Sequence, residues 1–268
     1  MKGREVTLIC EGEAYEFTSS DGIVNTNVIQ EIESDQEETD TRIILYCLHA
    51  KQKGYKHVVV RSPDSDLFFI LLSYIHDLDG TNIYFETGKK NKKRLINITE
   101  LGAHYSKEYC KALLGLHAFT GCDSTSAFKG KGKVRAMKWM LKDDIILKAA
   151  AALGNEWTVS EENITGMERL ACRLYGSQRI NDVNECRYIK LTSACCPDDL
   201  NIINATKKKL TLPSSLLQRP LSLSIVNVLI LKLANGSEVM SSFPSFQAQW
   251  MTTDGVWMRI ICCIQYGT

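Results

Sequence analysis

Asp64 and Asp66 follow directly on a short β-branched run, His-Val-Val-Val-Arg at 57–61. In open parallel sheets ligands bind in the crevice beyond the carboxyl ends of the strands. Two acids one residue apart at such a place can share a hard divalent cation, because Mg²⁺ and its relatives take oxygen ligands. The same stretch, Pro63-Asp64-Ser65, also suits a helix cap, since Asp and Ser are favoured there. A second acidic pair, Glu38 and Asp40, stands at the head of a predicted helix. Asp40 precedes Ile43, Ile44 and Cys47 by three, four and seven residues, which puts it on the stripe that should face a sheet. A carboxylate there is costly to bury unless a cation meets it. On an exposed first turn it would instead favour the helix dipole.

The third group is Phe119-Thr120-Gly121-Cys122-Asp123-Ser124, followed by Lys129-Gly130-Lys131-Gly132-Lys133-Val134-Arg135-Ala136. Asp123 could complete an acidic cluster. Gly130 and Gly132 let backbone N–H groups approach a phosphate, with Lys129, Lys131, Lys133, Arg135 and Lys138 at hand. The plain alternative is a solvated basic turn.

The elements that must hold these residues can be read in turn. Partial alternation predicts two strands at 5–10 and 14–18 around a tight turn at Glu11-Gly12, then a polar loop to about residue 27. An acidic block follows, with six carboxylates and no basic residue from Glu31 to Asp40. Helical spacing of Ile43, Ile44, Cys47 and Leu48 predicts a helix over 37–53, stopped by Gly54. Residues 57–61 read as a buried parallel strand, 66–76 as an apolar helix and 82–86 as another strand. The basic turn 88–94, GKKNKKR, leads to a short strand at 95–98. Helices are expected at 99–105, 107–118, 134–141, 144–153 and 160–175. Strands alternating with helices predict an α/β fold, a parallel sheet covered on both faces by helices. The organisation expected is a core over 1–142, a helical extension over 143–196 and an irregular appendage over 197–268, where no period holds.

In chain order, E-x-D at a helix start, D-x-D after a strand, and G-x-D before G-x-G-x-x-x-A resemble the PIN-like nuclease superfamily. The likeness is to its flap-endonuclease and XPG branch and covers about 36–140. The wider stretch, with EETDTRIILYCLHA, SPDSDL and LHAFTGCDSTSAFKGKGK, is also similar to a group of uncharacterised, multicopy animal proteins. The resemblance implies a three-layer, Rossmann-like parallel sheet and hydrolysis of nucleic-acid phosphodiesters by two Mg²⁺ or Mn²⁺ ions. Asp64, Asp66 and Asp123 would be ligands, with Glu38 and Asp40 completing the second site. Lys129, Gly130, Lys131, Gly132, Lys133 and Arg135 would grip the backbone of nucleic acid, DNA ahead of RNA. The 88–94 turn would add a second contact, or stand as a solvated hairpin tip. One departure stands out. Members of the family begin with a strand bearing a further catalytic Asp, and here only Asp21, in a predicted loop, precedes the acidic block.

Bulk composition bounds the rest. The 268 residues are 44% hydrophobic and 24% charged, enough apolar material for a real core. A net charge of +1 names no partner by itself. No long apolar run follows the basic residues of the N-terminus, so a secretory signal is not expected. The longest apolar stretch, 225–234, is broken by Asn227 and Lys232 and falls short of the roughly 20 residues a membrane span needs. Ten cysteines without a C-x-x-C pair read as reduced thiols of an intracellular protein, nuclear or cytoplasmic. The sequons at Asn97, Asn163, Asn204 and Asn235 then carry no meaning. Two further readings stay open: a PIN-like module that binds nucleic acid without turnover, and a decayed mobile-element-associated fragment. A phosphatase of the haloacid-dehalogenase type also uses D-x-D after a strand, but there the nucleophile follows the strand immediately, and here Arg61-Ser62-Pro63 intervenes.

Overall fold

The computed structural model describes residues 5–10, 13–20, 22–34, 39–123, 125–156, 158–195 and 257–261. They fall into two compact units, one holding 5–104 with 257–261 and the other 105–195. This division comes after residue 104, ahead of the boundary expected at 142. The turn at Glu11-Gly12, Glu38 and nearly all of the expected appendage lie outside the described residues.

The first unit holds two sheets. β1 (Glu5–Cys10), β2 (Glu13–Ser20) and β3 (Ile23–Val28) form an antiparallel meander. The polar loop expected up to residue 27 is thus a third strand. Gly22, at φ 80°, makes the tight turn into it, a conformation open to glycine. All six β3 side chains are exposed. The meander is anchored by Ala14, which is fully buried, and its carbonyl accepts the Ile29 N–H at 2.8 Å.

The second sheet has the order β6-β5-β4-β7. β4 (His57–Arg61) runs parallel to β5 (Asn82–Thr87) on one side and to β7 (Trp257–Ile261) on the other. β6 (Arg94–Asn97) pairs antiparallel with β5, because a six-residue loop turns the chain straight back and leaves no room for a crossover. The expected α/β class therefore holds, while the expected single parallel sheet does not: the strands form two sheets, one wholly antiparallel and one mixed. Val58 and Val60 of β4 align with Ile83 and Phe85 of β5, and all four are buried on one face.

Helices α1 (Thr39–Gln52), α2 (Ser65–Tyr74) and α3 (Ile98–Ala103) complete the first unit. Ile43, Ile44, Cys47 and Ala50 of α1 are fully buried, at the spacing that predicted the helix. The Phe68 ring of α2 lies 5.9 Å from that of Phe85, so α2 packs on the buried face of the mixed sheet. Thr99 Oγ1 accepts the Ile83 N–H at 2.8 Å, satisfying β5 where β6 ends.

The second unit is helical: α4 (Lys107–Phe119), α5 (Lys133–Met140), α6 (Asp144–Ala152), α7 (Glu161–Leu174) and α8 (Val183–Cys195). Ser106, Asp143 and Ser160 cap the N-termini of α4, α6 and α7 with side-chain oxygens, each contributing about 1 kcal/mol. Asp143 also pairs with Arg169 of α7 at 2.5 Å. α6 lies between α4 and α7, and a glycine faces it from each side. A Cβ on Gly115 would collide with the Ala150 carbonyl, and one on Gly166 with the Ala149 side chain.

Candidate active site and basic loops

The junction from β4 into α2 is fixed by a run of local hydrogen bonds. Ser62 is buried and donates its N–H to the Glu86 carbonyl at 3.1 Å, which extends the strand pairing by one residue. Its hydroxyl accepts the Asp64 N–H at 3.1 Å. Asp64 is extended (φ −83°, ψ 131°) and caps α2, Oδ1 accepting the Asp66 N–H at 2.9 Å. The capping role foreseen for Asp64 is therefore real, and it does not exclude the chemical one. One oxygen is committed to the helix, and the commitment fixes the direction of the other. Asp64 and Asp66 are both half-buried, at the carboxyl end of a strand with parallel neighbours on both sides.

Two residues beside them escaped the sequence reading. Arg61 ends β4 and Glu86 is its register partner on β5. The Glu86 carboxylate stands 3.8 Å from Arg61 Nε and 3.9 Å from Lys93 Nζ. The signal that finds them is register: in a parallel pair, the last residues of adjacent strands share the same edge.

The 88–94 loop leaves this same edge, because it follows β5 directly. Lys89, Lys92, Lys93 and Arg94 are exposed. Gly88 has φ 95°, and a Cβ there would strike the Lys92 carbonyl, so the loop closes on itself only with glycine. A sequence-level alternative, the solvated hairpin tip, describes its exposure; its place beside Asp64 was not visible without the sheet.

The other expected ligands are placed differently. Asp40 lies in the first turn of α1, half-buried. Asp123 is exposed in the turn after α4 and belongs to the second unit. Among the described residues no group of three or more His, Cys, Asp or Glu side chains stands close enough to hold a metal ion. What these residues offer a cation is the Asp64–Asp66 pair, an all-oxygen donor set. That fits one Mg²⁺ or Mn²⁺, which keeps several waters and is usually bound through one or two carboxylates plus substrate phosphates.

The basic segment 129–135 has two parts. Lys129, Gly130, Gly132 and Arg135 are exposed and Lys131 is half-buried. Lys133, the first residue of α5, donates Nζ to the carbonyls of His117 (3.0 Å) and Gly121 and to Thr120 Oγ1 (3.4 Å). Its ammonium thus satisfies the carboxyl end of α4, where cations are favoured. Thr125 adds to the same turn, donating to the Ala118 carbonyl at 2.7 Å and accepting the Cys122 N–H at 2.9 Å. Gly121, at φ 113°, would place a Cβ 2.6 Å from Ala127, so the turn that carries Asp123 needs this glycine. Exchanging Lys133 for methionine is expected to lower stability by about 1–2 kcal/mol, the cost of leaving charge-bonded carbonyls unpaired. Joint exchange of Lys129, Lys131 and Arg135 should leave stability within about 0.5 kcal/mol. Paired denaturant titrations separate the two; a neutral Lys133→Met would remove the stapling role.

Among the described residues no helix is long and apolar enough to cross a membrane. Compared with protein-family models, curated proteins and solved structures, the chain matches none of them.

Proposed function

We propose that the chain hydrolyses nucleic-acid phosphodiesters with a divalent metal, using Asp64 and Asp66 on a PIN-like sheet. The observation that carries this reading is one edge: an acidic pair at the carboxyl end of β4, flanked by parallel strands, with the basic 88–94 loop leaving β5 beside it. Such an edge is the ordinary place for a ligand in an open α/β sheet. An acid pair next to lysines suits a phosphate bridged to a hard cation. When bound, the ion polarises the phosphoryl oxygen and lowers the pKa of its water. The chain supplies the rest. The bond from the Asp66 N–H holds the Asp64 carboxylate in a fixed direction beside Asp66, and Lys89, Lys92 and Arg94 attract the polyanion. Lys129, Lys131 and Arg135 supply a further basic segment on the second unit.

A second reading follows from β7. The strand on the other side of β4, Trp-Met-Arg-Ile-Ile, contains no carboxylate, whereas the family resembled carries a further Asp on its first strand. This favours a module that grips nucleic acid without turning it over.

The deciding experiment incubates end-labelled single-stranded, duplex and 5′-flap DNA, and the matching RNA, with the chain and Mn²⁺ or Mg²⁺. Cleavage supports the hydrolase, binding without cleavage supports the second reading, and neither overturns both. Exchange of Asp40 or Asp123 in the same assay tests for a second ion. Metal alone gives an independent check. Millimolar Mn²⁺ should raise the melting temperature, since a ligand at 100 times its Kd adds about 2.7 kcal/mol, and Asp64→Asn/Asp66→Asn should remove the shift. No shift in the unaltered chain would count against the acidic pair as a metal site.

A further inference from the structure

Two buried thiols meet at the joint between the last two helices of the second unit. Cys172 on α7 and Cys186 on α8 are both free, 0% and 2% exposed, on two helices that pack together, and near enough for each to act on the other electrostatically. No C-x-x-C spacing announces them; the turn between the helices brings them together. A metal site is not the reading, because among the described residues no cluster of three or more ligating side chains forms.

The joint has a fixed hinge and a lightly held arm. Arg173, 5% exposed, donates Nη1 to the carbonyls of Ser177 and Ile180, each at 3.0 Å, and Nη2 to Asn181 Oδ1 at 2.9 Å. These bonds pin the connection between α7 and α8. Beyond it, of the side chains from Val183 to Lys190 only those of Val183 and Cys186 are buried. Tyr188 is 67% exposed. A stretch whose described side chains bury one apolar turn, with Arg187 half-buried beside it, opens locally at lower cost than the whole unit unfolds.

Seated, Cys172 is inert. Burial, and next the neighbouring Cys186, push the Cys172 thiol up to about 12, so it stays protonated. Glu168, one turn before Cys172, is held above the usual carboxylate range by burial and then by Asp182, one turn before Cys186, while Arg187 opposes the shift. Lifting α8 returns Cys186 to water, where a thiol ionises and reacts.

We propose that Cys172 and Cys186 are a redox pair, oxidised by a low-molecular-weight disulfide of the glutathione class to an intramolecular disulfide that staples α8 onto α7. On the lifted helix the Cys186 thiol loses its proton to solvent. The thiolate attacks one sulfur of oxidised glutathione and expels a glutathione thiolate. With α8 still lifted, the Cys172 thiol also meets water, loses a proton to solvent and displaces the second glutathione thiolate; α8 then reseats over the new disulfide. Two protein thiols become one disulfide, and the two electrons reduce one glutathione disulfide to two thiols. Because both cysteines are buried where α7 and α8 pack together in the seated state, the bond needs no new chain path, and it restricts the unfolded chain.

The test equilibrates the full chain across a series of oxidised-to-reduced glutathione ratios, alkylates the remaining thiols, and maps non-reduced peptides by mass spectrometry. The expected result is a Cys172–Cys186 peptide that forms before any other pairing among the ten cysteines. It should raise the melting temperature by about 5 °C or more, slow hydrogen exchange in α8, and reverse with dithiothreitol. Cys186→Ser, at the lightly held helix, should abolish the rise. The mapping on the unaltered chain needs no variant to fold. If both cysteines are alkylated after the other thiols have oxidised, the pair is not redox-active. If the linked peptide forms and α8 exchanges as fast as before, there is no staple.

Discussion

Exchanging Asp64 and Asp66 together for asparagine is expected to reduce Mn²⁺-supported cleavage by at least about 10³-fold, equivalent to about 4 kcal/mol of transition-state stabilisation. Asparagine is the informative substitute. It keeps an oxygen that can accept the Asp66 N–H and is itself a favoured N-cap, so α2 should start where it does now. What it removes is the charge that holds a cation. Alanine at 64 would also remove the capping bond, which is 2.9 Å long, and cost about 1 kcal/mol of stability. A loss of activity in that variant would mix two causes. Measured beside the unaltered chain, the double asparagine variant should keep its melting temperature without metal and lose both turnover and the metal-induced rise. Turnover that survives the exchange would move the chemistry elsewhere in the chain.

Gly115→Ala should destabilise the helical unit by about 2 kcal/mol, and the sign is the interesting part. On propensity alone, alanine in place of glycine inside a helix gains about 1 kcal/mol. Against this stands the Cβ, which would collide with the Ala150 carbonyl. That obstacle is backbone inside α6 and cannot rotate away as a flexible side chain would. α6 would have to move off α4 and loosen the fit of Ile146, Ala149 and Ala150, all buried. Overpacking of this kind costs about 1–3 kcal/mol, to which the loosened contacts add. The midpoint of a urea titration reads the result. A midpoint that rises would mean that propensity wins and the helices are not as closely nested as described.

Where burial repeats at a local period, the sequence was easy to read. Ile43, Ile44 and Cys47 marked α1, and the valines of 57–61 marked β4 to the residue. β3 was missed because Asn25, Thr26 and Asn27 look like loop composition, although Asp21-Gly22 is a hairpin signal. With both faces exposed, the strand has no buried side to create an alternation. β7 could not be seen, because its partner is fixed by a distant strand and not by any local period. The site divides the same way. A strand running into a capped helix is local, so the position of Asp64 and Asp66 was legible. Which other groups stand beside them depends on register, as with Arg61 and Glu86, or on the division into units, as with Asp123.

The pairing of β4 with β7 joins residues 200 positions apart in the chain. A ribosome makes them far apart in time as well. At about 5–20 residues per second, β4 is available for some 10–40 seconds before residues 257–261 are synthesised. Through that interval one side of β4 offers unpaired N–H and C=O groups flanked by valines, the kind of edge that recruits strands from other chains. Whatever guards this edge during synthesis has a finite task, which ends when the chain supplies its own strand.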